Sequence, residues 1–170
     1  PSISFGPWGS TPCLWMNCNG QRFMNESFAG LVLAQSCRQP INPEAKMVGN
    51  FAIMDSKYMS YIQAGGLDHG APNWGFPEGI EEFQAQMAAA DPAAGTVEVR
   101  GLEIANRTSP FVNEIFVGAT LEDALKNAGL EGEALENAKA SVERYNELCA
   151  AGKDTDFGKP ENLLIPIDEG

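Results

Sequence analysis

The stretch Leu14–Glu26 (Leu-Trp-Met-Asn-Cys-Asn-Gly-Gln-Arg-Phe-Met-Asn-Glu) narrows what this chain can fold into more than any other. Asn19-Gly20 divides two runs of hydrophobic and aromatic residues. An Asn-Gly pair so placed is a strong hairpin signal, because a two-residue turn of the primed type needs positive φ at both central positions. The pattern predicts a β-hairpin whose second strand ends at Asn25-Glu26, with an amphipathic segment following at once. A carboxylate between a strand end and a helix start has two readings. It projects into a cleft, or it is a solvated charge that the helix dipole favours. The local pattern leaves both open for Glu26, and the solvated charge is the plainer of the two.

Helical spacing of Phe28, Leu31, Val32 and Ala34 predicts a helix over Ser27 to about Cys37, with Ser27 as cap and Pro40 beyond its end. The apolar run Met47–Met54 predicts a strand, placed centrally. Asp55-Ser56 then caps a short helix through Tyr58, Met59 and Ile62 that stops at Gly65-Gly66. Leu67–Pro77 reads as a loop holding His69, the sole histidine. A helix over Pro77 to about Ala90 follows. Strands are expected over Thr96–Arg100 and Asn113–Gly118. Thr120-Leu-Glu-Asp123 is a helix-start pattern, with Gly129 as the stop. The clearest element is a helix over about Gly132 to Ala150, with Leu135, Ala138, Val142, Tyr145 and Cys149 on one face. A polar tail anchored by Leu163, Leu164 and Ile165 completes a single α+β domain over residues 1–170.

Composition bounds what such a domain does. Eleven basic residues against 23 acidic ones give a net charge of −12, which repels phosphate backbones and argues against nucleic-acid binding. No run reaches the roughly 18 to 20 apolar residues that a membrane-spanning helix needs. The chain starts at Pro1 without a Met, and the expectation is a piece cut from something longer. Cys13, Cys18, Cys37 and Cys149 show no paired spacing, and with one histidine a metal site is not expected. Free thiols or a Cys13–Cys18 disulfide both fit the cysteine pattern.

Complete catalytic signatures are missing. There is no GxGxxG after a strand, no P-loop and no nucleophile elbow. His69 lies beside Asp68 in a Gly/Pro-rich loop with no nucleophile motif, so a hydrolase built on it has little support. Asp154-Thr-Asp156 lacks the Gly and terminal Glu of a calcium loop and reads as a polar turn.

Several stretches, taken in order, resemble the flavoprotein family of fumarate reductase and succinate dehydrogenase. The closer likeness is to its soluble, flavocytochrome-type branch, which includes urocanate reductase and the ketosteroid dehydrogenases. The matching stretches are Asn19-Gly-Gln-Arg-Phe-Met-Asn-Glu26, then Ala119-Thr-Leu-Glu-Asp-Ala-Leu125 with Ala128-Gly-Leu130. Ser141-Val-Glu-Arg-Tyr-Asn-Glu-Leu-Cys149, Gly152-Lys-Asp-Thr-Asp-Phe-Gly-Lys159 and Leu164-Ile-Pro-Ile167 complete the set. The resemblance implies a capping domain inserted into an FAD-binding domain, roofing the substrate cleft and inactive alone. It implies FAD held mainly by a domain absent from this chain, with no cofactor-binding residues here. It also implies an oxidoreductase of CH–CH groups, as in anaerobic respiration, acting on a small α,β-unsaturated substrate with electrons from a haem or flavin donor. Hydride transfer is the cofactor's chemistry, and the cap adds geometry, water exclusion and a proton source.

Glu26 matches the family's Glu after the Arg-Phe-x-Asn pattern, near the substrate and the proton route. Two departures follow. Fumarate reductases carry an Arg a few residues beyond that Glu, and Ser27–Cys37 has none. The family's proton-donating Arg falls within Met54-Asp-Ser-Lys-Tyr-Met59, where Lys57 or Tyr58 stands instead. A tuned phenol can donate a proton, whereas clamping a dicarboxylate calls for a guanidinium. The expectation is reduction of an activated alkene other than fumarate, with Tyr58 as the leading donor; packing on an amphipathic face is the competing role for Tyr58. The alternative for the whole chain is a stand-alone binding or interaction module with a cap-like fold.

Overall fold

The computed structural model describes residues 13–27, 34–45, 49–57, 85, 89, 91–98 and 114–168. Tyr58, the helix expected through it, and the loop with His69 lie outside the described residues. So does most of each helix expected over Ser27–Cys37 and Pro77–Ala90. The described end of the first of these, residues 34–36, is helical and turns at Cys37-Arg38, ahead of Pro40.

The fold is α+β. Strand β1 (Cys13–Met16) pairs antiparallel with β2 (Phe51–Met54), setting Leu14 opposite Ile53 and Met16 opposite Phe51. Strands β3 (Thr96–Glu98) and β4 (Glu114–Phe116) form a second antiparallel pair. Helices α1 (Leu121–Asn127) and α2 (Gly132–Ala150) follow. Leu14, Met16 and Phe51 meet Leu125, Leu130, Leu135, Ala138, Val142, Tyr145 and Ile167 in one core. Burying a large aliphatic or aromatic side chain contributes roughly 1.5–3 kcal/mol, so α2, with its stripe of buried residues, is the main support of the fold.

The expected hairpin is corrected in two ways. Its turn is not of the primed type. Among the described residues positive φ falls only on glycines, and Gly20 has φ 75° while Asn19 does not join it. The Gly20 N–H donates to Asn17 O (2.9 Å) and the Asn17 N–H to Gln21 O (3.0 Å), closing a three-residue loop with Gly in the left-handed position. Its return leg is not a strand either, and makes a single bridge, Met16 with Arg22. The reason is helix α2. A Cβ on Gly20 would stand 2.1 Å from Ala134 O and 2.6 Å from Ala138 N, so the turn is laid directly on the helix backbone. Ser141 Oγ donates to Gly20 O (2.9 Å) and Asn137 Nδ2 to Asn19 O (3.2 Å), holding it there. The partner that β1 lacks from its own hairpin comes from β2, which among the described residues has β1 alone beside it and is not central.

The helix ends follow their local chemistry. Thr120 Oγ1 accepts the Asp123 N–H (3.1 Å), and Glu122 and Asp123 occupy the dipole-favoured first turn. At the far end Leu130 N–H donates to Leu125 O and Gly129 N–H to Lys126 O, with Gly129 at φ 85°. Helix α2 closes in the same way through Gly152 (φ 67°) and Lys153, whose N–H reaches Leu148 O. Its buried residues are Leu135, Ala138, Val142, Tyr145 and Leu148; Cys149 is only half-buried. Leu164 packs against the core as the tail's expected anchor, and Ile167 is buried more deeply still. Asn146 both donates to Ile167 O (2.7 Å) and accepts its N–H (2.9 Å).

Candidate functional site

Laying the Asn17–Gly20 turn on α2 sends the following residues under the helix, where they meet the turn that follows it. Glu26 is 2 % exposed and is therefore no solvated helix-start charge. Arg22 Nε donates to Glu26 Oε1 (2.8 Å) and Arg22 Nη2 to Glu26 Oε2 (2.9 Å), a two-pronged pair. Arg22 Nη2 also donates to Asp154 Oδ2 (2.9 Å). Lys159 Nζ lies 3.6 Å from Glu26 Oε2 and donates to the Tyr145 hydroxyl at 2.9 Å. The Arg22 guanidinium packs against the rings of Tyr145 (4.9 Å) and Phe157 (5.0 Å). Two cations and two carboxylates thus balance inside the domain, drawn from the loop after β1 and the turn after α2, with Tyr145 of the helix beside them.

Asp154 is the joint of this cluster. Its Oδ1 accepts the N–H groups of Asp156 and Phe157, and its Oδ2 that of Lys159, all at 3.0 Å. The polar turn expected at Asp154–Asp156 is present, but its first residue is 5 % exposed and faces inward. Burial works against the Asp154 charge, and the Arg22 hydrogen bond with the backbone N–H groups outweighs it, bringing the carboxyl down to about 2. Burial likewise opposes charge on Arg22, yet Glu26 and Asp154 hold its pKa above the usual value. For Lys159 burial wins over the pull of Glu26 and the ammonium pKa is lowered. Burial, then Cys149 and Glu26, raise the Tyr145 phenol. Arg22 Nη1 is buried without a hydrogen-bond partner among the described residues.

Spacing marks Tyr145 only as a core position and Asp154 only as part of a polar turn, and it marks neither Arg22 nor Lys159. Each of the four lies in a stretch that carries the family resemblance, which was the one available signal. Lys57 stands just past β2, where Nζ bonds Asp168 Oδ2 (2.7 Å) and Pro166 O (3.0 Å) and lies 3.2 Å from Asp55 Oδ2. Burial opposes its charge and the hydrogen bonds to Asp168 and Asp55 prevail, so its pKa is raised. It clips the tail to the end of β2. Cys13 and Cys18 are both free thiols, without the disulfide that their spacing left open. Burial and then Glu26 push the Cys13 thiol up, which keeps it protonated and unreactive.

A shallow depression of about 450 Å³ opens between the 17–23 segment and α2, with Arg22, Phe23, Ser141 and Phe157 among its lining residues. Helix α2 starts with Glu131 and Glu133, and α1 with Glu122 and Asp123, acids that suit the positive end of each helix dipole. Among the described residues no helix is long and apolar enough to cross a membrane, and no three His, Cys, Asp or Glu side chains cluster as metal ligands.

No protein-family model matches the chain, and no solved structure matches it. It is similar to vinyl phenol reductase of Lactiplantibacillus plantarum, with 26% identity over 171 residues. That likeness covers 95% of this chain and 28% of the relative, so the chain spans less than a third of that protein's length. At this identity the likeness supports a reductase-related chain, without fixing the reaction.

Proposed function

We propose that this chain is the substrate-capping domain of a longer, FAD-dependent reductase that saturates an activated C=C bond, and that it is inactive alone. The observation that carries the reading is the likeness to a vinyl phenol reductase across 95% of this chain but only 28% of the relative. The ordered motifs from Asn19 to Ile167 point to the same kind of parent. An alkene conjugated to a phenol ring carries no carboxylates to clamp. The lack of any Arg in Ser27–Cys37 suits such a substrate better than fumarate. In this reading FAD supplies the hydride from the parent's own FAD-binding domain, and electrons reach it from a haem or flavin donor. Tyr58 delivers the proton, with Lys57 beside it, and Glu26 takes part in proton movement from within the cap, through the groups that surround it.

The test uses the full-length protein under anaerobic conditions, with reduced methyl viologen as electron source and a panel of alkenes. The expected outcome is conversion of 4-vinylphenol to 4-ethylphenol and little or no turnover of fumarate. A protein that consumes none of the α,β-unsaturated acids, enones and vinylphenols would leave the binding-module alternative in its place. Tyr58→Phe is expected to lower turnover by about 10²–10⁴-fold, the span general-acid groups supply; an unchanged rate removes Tyr58 from this role.

A further inference from the structure

We infer that Arg22, braced by Asp154, is a positioning residue for Glu26: it fixes the orientation of that carboxylate and acts on turnover only through it. The inference rests on the reading of Glu26 as part of proton movement in the proposed reductase.

Four observations carry it. First, one planar group engages both oxygens of Glu26, at 2.8 and 2.9 Å, so the carboxylate cannot rotate without breaking two bonds. Second, the guanidinium is anchored through a side chain that the main chain itself holds in place. Its Nη2 bonds Asp154, and Asp154 is itself held by three backbone N–H groups. Third, Tyr145 and Phe157 pack against the guanidinium and restrict its tilt. Fourth, the other cation does not do the same job. Lys159 stands 3.6 Å from Glu26 Oε2, beyond hydrogen-bond range, and spends its short contact on Tyr145. Lys159 supplies charge, whereas Arg22 supplies direction. A buried ion pair is weak evidence of a purely stabilising role, since replacing the whole pair by well-packed apolar side chains is often neutral.

The experiment compares the full-length protein with Glu26→Gln, Arg22→Lys and the double variant, using 4-vinylphenol and reduced methyl viologen. A lysine keeps the charge but cannot span two carboxylate oxygens. Misplacing a reacting group by an ångström costs on the order of 10²-fold in rate. A fall in kcat of that order is expected for Arg22→Lys, with KM within about twofold of wild type. In the Glu26→Gln background, Arg22→Lys is expected to have no further effect, because the group it orients is gone. A further, multiplicative loss in that background would mean that Arg22 acts independently and would overturn the inference. So would a raised KM at unchanged kcat. If Arg22→Lys does not fold, Asp154→Asn enters the same comparison, because it loosens the brace while leaving the Arg22–Glu26 pair. Glu26→Gln with unchanged turnover removes the reading of Glu26 itself, an outcome distinct from failure of Arg22 alone.

Discussion

Two carboxylates in this domain each sit between two cations, and they differ most in exposure. Glu26 lies between Arg22 and Lys159, with side chains 0–6 % exposed. Glu122, on α1, lies between Lys126 and Lys139, with side chains 37–54 % exposed. Arg22 and both lysines of the Glu122 cluster hydrogen-bond their carboxylate, and Lys159 stands 3.6 Å from Glu26. At Glu122 the hydrogen bonds from Lys126 and then Lys139 bring the carboxyl down to about 2. That shift does not become stability, because water and salt screen each charge and long side chains lose freedom on pairing. At Glu26 no solvent stands ready to replace a lost partner. Removing one partner there leaves a bare charge inside the protein. The same chemistry is optional on the surface and binding on its neighbours in the interior.

The largest expected effect comes from breaking the interior cluster. Arg22→Met leaves Glu26 and Asp154 buried with only Lys159 to balance them, and is expected to cost about 3–5 kcal/mol in urea denaturation of the 170-residue chain. A loss too small to measure would erase the contrast between the two clusters. A smaller effect comes from pH. The Asp154 carboxyl is near 2 when folded, against an ordinary value of 3.8, so the folded form releases its proton first. Its contribution is complete above about pH 4 and is lost as the pH falls from there towards 2. The urea midpoint should therefore drop across that window, and Asp154→Asn should flatten the drop. The smallest effect is at the surface. Glu122→Gln should leave the urea midpoint unmoved within error, and 0.5 M NaCl should change wild type and variant alike. A clear midpoint shift on Glu122→Gln would show that exposure is not what separates the two clusters.

How far the fold was legible depended on how local its cause is. Helix α2 was plain because Leu135, Ala138, Val142 and Tyr145 recur at helical spacing, and all four are buried. The start of α1 at Thr120 and its stop at Gly129 likewise depend on neighbours within a few residues. The hairpin was misread because Asn-Gly suits both a primed two-residue turn and a three-residue turn with a left-handed glycine. What decides between them is contact with Ala134 and Ala138, more than a hundred positions away along the chain. The strand facing β1 was visible as the apolar run Met47–Met54, but its pairing was not. Within the site, Glu26 stood out through its motif. Its partners Asp154 and Lys159 did not, because pairing across a chain reversal leaves no local period to read. The end of the tail shows the same limit. The apolar run Leu163–Ile165 was legible as an anchor, and Leu164 does pack on the core; the deeper burial of Ile167, whose backbone Asn146 bonds on both sides, was not.

Since the closest approach of the Gly20 turn to α2 is to main-chain atoms of Ala134 and Ala138, the spacing between the Arg22 loop and the helix is set mainly by atoms every residue type shares. Over evolutionary time, core side chains such as Val142 or Leu135 can be exchanged for others of similar size without moving Arg22 relative to Tyr145. The domain can thus drift far in sequence while its interior charges keep their places, provided one hydrogen at position 20 is never replaced by a carbon.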